Sequence, residues 1–183
     1  MRLFIAIDLP EEIKQILEEV KAPLKDIKGV KPVKKDNIHL TLKFLGDVYT
    51  DQLNEIIHEL RKIKFKPFNL HLRGLGCFPS NTRPRIIWIG TDEGSDEVKR
   101  LYEEINKKLR KFKFKPEQFK SHVTIIRIKF IDKNQINRFN KILNNLKNED
   151  FGIIPVESFQ LKKSVLTPKG PIYTTLEEFN TTN

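Results

Sequence analysis

Two short runs carry the residues best suited to chemistry. Residues 37–46 read NIHLTLKFLG and residues 121–130 read SHVTIIRIKF, each with a His and a Thr two positions apart in an apolar, β-prone stretch. His39 and His122 are two of the chain's four histidines and lie 83 positions apart. Residues i and i+2 of a strand share a face, so His39 projects with Thr41 and His122 with Thr124. Leu40, Leu42 and Phe44, and Val123 and Ile125, then turn the other way. An imidazole titrates near pH ~6.5, so one ring can accept a proton while another donates one. Opening a cyclic phosphodiester with water needs both acts, a base for the water and an acid for the departing ribose oxygen. The threonine hydroxyls can donate to the non-bridging oxygens. Two rings flanking one phosphate should hold their reactive nitrogens roughly 6–8 Å apart. Lys43 shares the parity of His39 and Thr41 and is a candidate phosphate contact, although the same alternation also turns a lysine to solvent.

A single His-x-Thr carries little weight, because a hydrogen-bonded, half-buried histidine explains it equally well. The duplication is more telling, since the surrounding elements repeat with it. Residues 2–9 read as a buried strand, and Pro10 and Glu11 open an amphipathic helix to about Ala22, with Ile13, Ile16, Leu17 and Val20 on one stripe. The His39 strand follows. Thr50 or Asp51 can then cap a helix bearing Leu53, Ile56, Ile57 and Leu60, and residues 68–78 alternate like a strand or hairpin arm.

The second half runs in the same order, with a strand at 85–91 and a helix at 95–109 that opens with a capping pattern. The His122 strand comes next, then a helix after Asp132 and strands at 156–167 and 171–179. Arg2 and Arg85, Gln52 and Gln135, and the two motif histidines share one offset. These features predict an α+β fold of two similar lobes with pseudo-two-fold symmetry, helices outside and sheets inside. No Ser/Gly linker separates the repeats, about 1–80 and 84–180, so residues 1–183 are expected to form one domain with intertwined lobes.

Composition narrows the partners. Lys and Arg number 34 against 24 Asp and Glu, a formal charge of +10 that favours an anion, nucleic acid foremost, although a solubilising lysine-rich surface would give the same sum. Cys77 is the sole cysteine, which leaves no intramolecular disulfide and no thiolate zinc cluster. The histidines lack the carboxylate spacing of a metal site, so no metal or cofactor is expected. No apolar run reaches the ~20 residues of a membrane span, and a soluble, cytoplasmic monomer is expected. His58 reads as a surface residue, His71 as an exposed strand position and Trp88 as core, while Phe78 could stack a base or plug a turn. The basic loops 28–35 and 110–120 lead into the motif strands. In the second, interleaved Phe residues suit either base stacking or inward packing.

The segments RLFIAIDLP, HLTLKFLG, HVTIIR and GLGCFPSNTRPRIIWIG resemble the 2H phosphoesterase superfamily, and the resemblance covers nearly the whole chain. Within it the similarity is to the RNA 2′,3′-cyclic phosphodiesterases, long called 2′-5′ RNA ligases. The resemblance implies a two-lobed α+β fold whose inner antiparallel sheets form a central cleft, and metal-independent hydrolysis of RNA 2′,3′-cyclic phosphate ends, tRNA fragments among them, to a 2′-phosphomonoester. ATP-independent 2′-5′ ligation is the implied reverse reaction. It further implies His39 as proton donor, His122 as proton acceptor, and Thr41, Thr124 and Arg127 as phosphate contacts. Arg127 lies five residues after His122, a parity that faces it away unless the strand bulges. Ser121 replaces the proline usual in that family before the second histidine, and Pro32 stands near where an aromatic is common. Two other readings stay open: a phosphodiesterase for a small cyclic nucleotide phosphate, and an RNA-binding module whose histidines only hold phosphate.

Overall fold

The computed structural model describes residues 1–182. Nine strands and four α-helices follow the chain as β1 (Arg2–Asp8), α1 (Glu11–Lys21), β2 (Val30–Pro32), β3 (His39–Asp47), α2 (Leu53–Leu60), β4 (Phe68–Phe78), β5 (Ile86–Thr91), α3 (Ser95–Lys108), β6 (His122–Ile128), α4 (Ile136–Asn145), β7 (Asp150–Val156), β8 (Ser158–Thr167) and β9 (Gly170–Asn180). The α+β expectation holds. The strands form one antiparallel sheet in the order β7-β4-β5-β6-β3-β1-β8-β9, with β2 beside β6.

The connectivity interlocks the two ends of the chain. β4, from the first half, pairs with β5, while β8, from the second, pairs with β1. α1 packs over β6 and β7, and α3 over β3 and β4. The helices bury Ile13, Leu17, Ile56, Leu60, Val98, Leu101, Ile105, Phe139 and Leu143 in the same core as Leu40, Leu42, Val123 and Ile125. Apolar alternation on the motif strands therefore sends one face under the helices and leaves the other for polar groups.

β3 meets β6 through a single ladder pair, Leu40 opposite Val123. Above it β6 is taken over by β2, where Val30, Lys31 and Pro32 face Ile128, Arg127 and Ile126. The chain between β2 and β3 is tied down by buried Lys21, whose ammonium donates to the Val33 carbonyl at 2.6 Å and pairs with Glu18.

Several local expectations change. Asp8 faces His39 and Gly90 faces His122, so β1 and β5 align at an offset of 82, and the equal spacing of Arg2 and Arg85 is coincidental. Gln52 and Gln135 do hold matching places, each just before a helix. Neither Thr50 nor Asp51 caps α2, and Gly94 precedes α3 without a side-chain cap. The Ser95 hydroxyl instead turns back to the Asp92 carbonyl at 2.6 Å. Among the described residues no helix is long and apolar enough to cross a membrane.

Candidate active site

The Leu40–Val123 pair sets the site. Continuing that antiparallel register by one residue each way sets His39 toward Thr124 and Thr41 toward His122. All four side chains leave the face that Leu40 and Val123 do not use. His39 and His122 are then diagonal neighbours, a relationship that separates side-chain roots by about 7–8 Å in a regular ladder.

Each imidazole is oriented by the same device. Nδ1 of His39 donates to the carbonyl of Asn37 at 2.8 Å, and Nδ1 of His122 to the carbonyl of Lys120 at 2.6 Å, in both cases two residues upstream. A proton fixed on Nδ1 leaves Nε2 as the acceptor. Nε2 of His39 accepts from the Thr41 hydroxyl at 2.9 Å. Asn37 is itself anchored, its side-chain amide donating to the Pro171 carbonyl of β9 at 2.9 Å.

The two rings sit in different surroundings. Burial pushes His39 down from 6.5 to about 4, with nearby Lys162 acting in the same direction and the Asn37 carbonyl and Asp8 opposing it. Phe4 and Tyr173 wall it at ring distances of 4.9 and 5.4 Å. Lys162 is held by Asp8 Oδ2 at 2.9 Å and Thr175 Oγ1 at 3.0 Å. Burial also lowers His122, with Lys120 and Arg127 adding to it. Phe78 and Trp88 lie edge-on to it at 5.7 and 6.4 Å, and the Lys120 ammonium caps Trp88 at 4.3 Å.

Two β-bulges settle the remaining residues. Between Ile5–Lys43 and Ala6–Thr41 the ladder skips Leu42, and between Ile87–Ile126 and Trp88–Thr124 it skips Ile125. Each bulge falls three residues after its histidine and reverses the parity beyond it. Arg127 is thereby turned to the histidine face, exposed between buried Ile126 and Ile128. The same reversal removes Lys43, which is 4% exposed on the helix side, and brings Phe44 outward at 53%. Lys43 is therefore no phosphate contact.

Other expectations divide. His58 is exposed. His71 is 14% exposed and bound by Asp150 Oδ2 at 2.9 Å, apart from the motif pair. Trp88 is a half-buried wall beside His122 rather than core, and Phe78 joins it. Phe112, Phe114 and Phe119 are half-buried and pack against the core, in line with the inward-packing alternative. Phe4, Tyr173 and Lys162 were not foreseen. The alternating Gln160, Lys162 and Ser164 in β8 were the readable hint of a polar face, whereas nothing near Tyr173 distinguishes it.

A continuous antiparallel sheet with one His-x-Thr from each motif strand defines a class, the proteins that work a phosphoester between two histidines. The profile described as LigT like Phosphoesterase matches residues 7–88 and again 89–173, and the chain belongs to that family. Two relatives named RNA 2′,3′-cyclic phosphodiesterase are 39% identical over 98% of this chain and 99% of the Archaeoglobus fulgidus protein, and 38% identical over 98% and 100% for Methanocaldococcus jannaschii. A crystal structure from Thermus thermophilus superposes with a TM-score of 0.84 at 31% identity, covering 98% of this chain and 97% of that one. E. coli LigT in apo form shares the fold, with a TM-score of 0.80 at 24% identity over 100% and 98% of the two chains.

Proposed function

We propose that this protein hydrolyses the 2′,3′-cyclic phosphodiester ends of RNA to 2′-phosphomonoesters by paired-histidine acid/base catalysis. The observation that carries the reading is the convergence of two tautomer-fixed imidazoles on one sheet face at the Leu40–Val123 pair. The relatives' shared name supplies the substrate class. Nε2 of His122 takes a proton from water as that oxygen attacks phosphorus. The P–O3′ bond breaks in line, and His39 gives its proton to O3′, leaving phosphate on the 2′-oxygen. Thr41, Thr124 and Arg127 hold the non-bridging oxygens.

With its pKa pushed down to about 4 by burial, His39 is neutral at pH 7 before substrate arrives. An arriving phosphodiester brings a negative charge beside it, which favours the imidazolium and primes it as the acid. The same path run backwards, with a 5′-hydroxyl in place of water, forms a 2′-5′ linkage without ATP. The substrates fit a cytoplasmic setting, with tRNA fragments as one source of ends and the monomer as the working unit.

The test is product analysis on an oligonucleotide with a 2′,3′-cyclic phosphate end. A 2′-phosphate product is expected. A 3′-phosphate product, or no turnover, contradicts the reading. Equal, salt-insensitive rates on mononucleotides and oligonucleotides would instead favour a small cyclic phosphate as the substrate.

A further inference from the structure

Beyond the bulge, β6 carries a second feature that the reaction itself does not need. Its histidine face runs His122, Thr124, Arg127, and Lys31 of β2 lies directly opposite Arg127 in the ladder. Lys31 is also held against Lys129, which lowers its pKa, first through their side-chain contact and then through like-charge repulsion. Three cations thus share one exposed patch. Like charges placed opposite each other across a ladder are destabilising. Among the described residues none of the three has a carboxylate within ion-pair distance, whereas Arg61, Lys62, Lys111 and Arg138 elsewhere on the surface do. The patch continues to Lys28, whose ammonium lies 5.8 Å over the exposed ring of Phe130.

We propose that Lys31 and Lys129 form a second phosphate subsite, which grips the internucleotide phosphate next to the terminal nucleoside and directs the RNA along β6 toward Phe130. This rests on the function proposed above. Thr124 and Arg127 are about 7 Å apart along the strand once the bulge is discounted, so the track begins where the reacting phosphate ends. A polyanion relieves the repulsion among the three cations, and an exposed aromatic at the far end suits base stacking.

A rival route exists. A cavity of about 500 Å³ on the other side of His122 is lined by Arg73, Lys120, Lys147 and Trp88. Two of its three cations are already engaged, however, and among the described residues only Lys147 there pairs with no carboxylate or ring. Arg73 lies 3.7 Å from Asp92, and Trp88 is covered by Lys120 on one side and pressed against Gly76, where an added Cβ would come within 2.4 Å of the ring. The free cations favour β6.

The experiment compares a nucleoside 2′,3′-cyclic phosphate with a trinucleotide bearing the same end, using wild type, the Lys31→Ala/Lys129→Ala double variant and the Arg73→Ala/Lys147→Ala double variant. The first double variant is expected to raise KM for the trinucleotide about tenfold and leave the mononucleotide unchanged. It should also flatten the salt dependence on the trinucleotide by roughly 0.7 in log–log slope for each phosphate no longer gripped. Lys31→Arg/Lys129→Arg should restore both. Equal effects on the two substrates, no effect on either, or a trinucleotide-specific loss in the Arg73/Lys147 variant instead would each overturn the subsite. Wild type turning over neither substrate would defeat the functional reading itself, an outcome separate from these.

Discussion

Phe44 and Arg127 hold the same place in the two motif strands: each lies five residues beyond its histidine and is turned to the histidine face by a bulge three residues after it. The cleft therefore gains an aromatic ring from one strand and a guanidinium from the other at equivalent positions. An excess residue in each ladder has been used to re-aim a side chain.

This arrangement separates two cations that the sequence alone treats alike. Arg127→Ala is expected to lower kcat/KM by about 10- to 100-fold, the worth of one charge-assisted hydrogen bond to the reacting phosphate. Lys43→Met should stay within about twofold of wild type, since its side chain lies on the helix side. Steady-state kinetics on a cyclic-phosphate-ended oligonucleotide checks both. A strong loss in the Lys43 variant alone would mean the register has been misread.

The burial of His39 gives a pH signature. The free enzyme must carry a proton on His39 to act as acid, and that imidazole is pushed down to about 4. Because kcat/KM reports the free enzyme, it is expected to fall about tenfold per pH unit as pH rises from 6 to 8. kcat should be flatter over this range, because the bound phosphodiester raises the same pKa. Parallel profiles for kcat and kcat/KM would contradict that division.

Stability should move the opposite way with pH. A histidine kept neutral in the fold binds fewer protons than in the unfolded chain between about pH 4 and 6.5. The stability it contributes is present above the unfolded value near ~6.5 and is lost as pH falls through the folded value, at most about 3 kcal/mol in all. Thermal unfolding of wild type from pH 7 to pH 4.5 should show this loss, and His39→Gln should reduce it. Identical pH slopes in the two proteins would show that His39 is not the group responsible.

Lys21 offers a test of how the first motif strand is held. Its ammonium supports the Val33 carbonyl from within the core. Lys21→Met leaves that carbonyl unpartnered and is expected to cost about 1.5–3 kcal/mol in denaturant unfolding. A change below about 0.5 kcal/mol would show that water replaces the ammonium freely.

Much of this architecture was legible because periodicity and burial agree. The helices carry apolar stripes, and both His-x-Thr pairs sit in alternating strands, which gave the reactive face directly. β7 was hidden because Gly152 and Pro155 argue against a strand, and it lies at the sheet edge where both are tolerated. β2 has only three residues and ends in Pro32. The bulges escaped for a different reason: a period of two cannot signal its own interruption, so Lys43 was placed in the cleft and Arg127 was left in doubt. Tyr173 and Lys162 reach His39 only through the pairing of β8 with β1 and β9, a long-range contact with no local pattern.

The central claim is that His39 and His122 act together on one phosphorus. The most direct test is single-turnover hydrolysis of a cyclic-phosphate-ended oligonucleotide by His39→Ala and His122→Ala, with RNA affinity and folding measured alongside. Each variant is expected to lose at least about 10²-fold in rate while still binding RNA and unfolding cooperatively. EDTA should leave the wild-type rate intact, because the two imidazoles supply both proton transfers. Wild-type rates in both variants, or full loss with EDTA restored by zinc or manganese, would contradict the account.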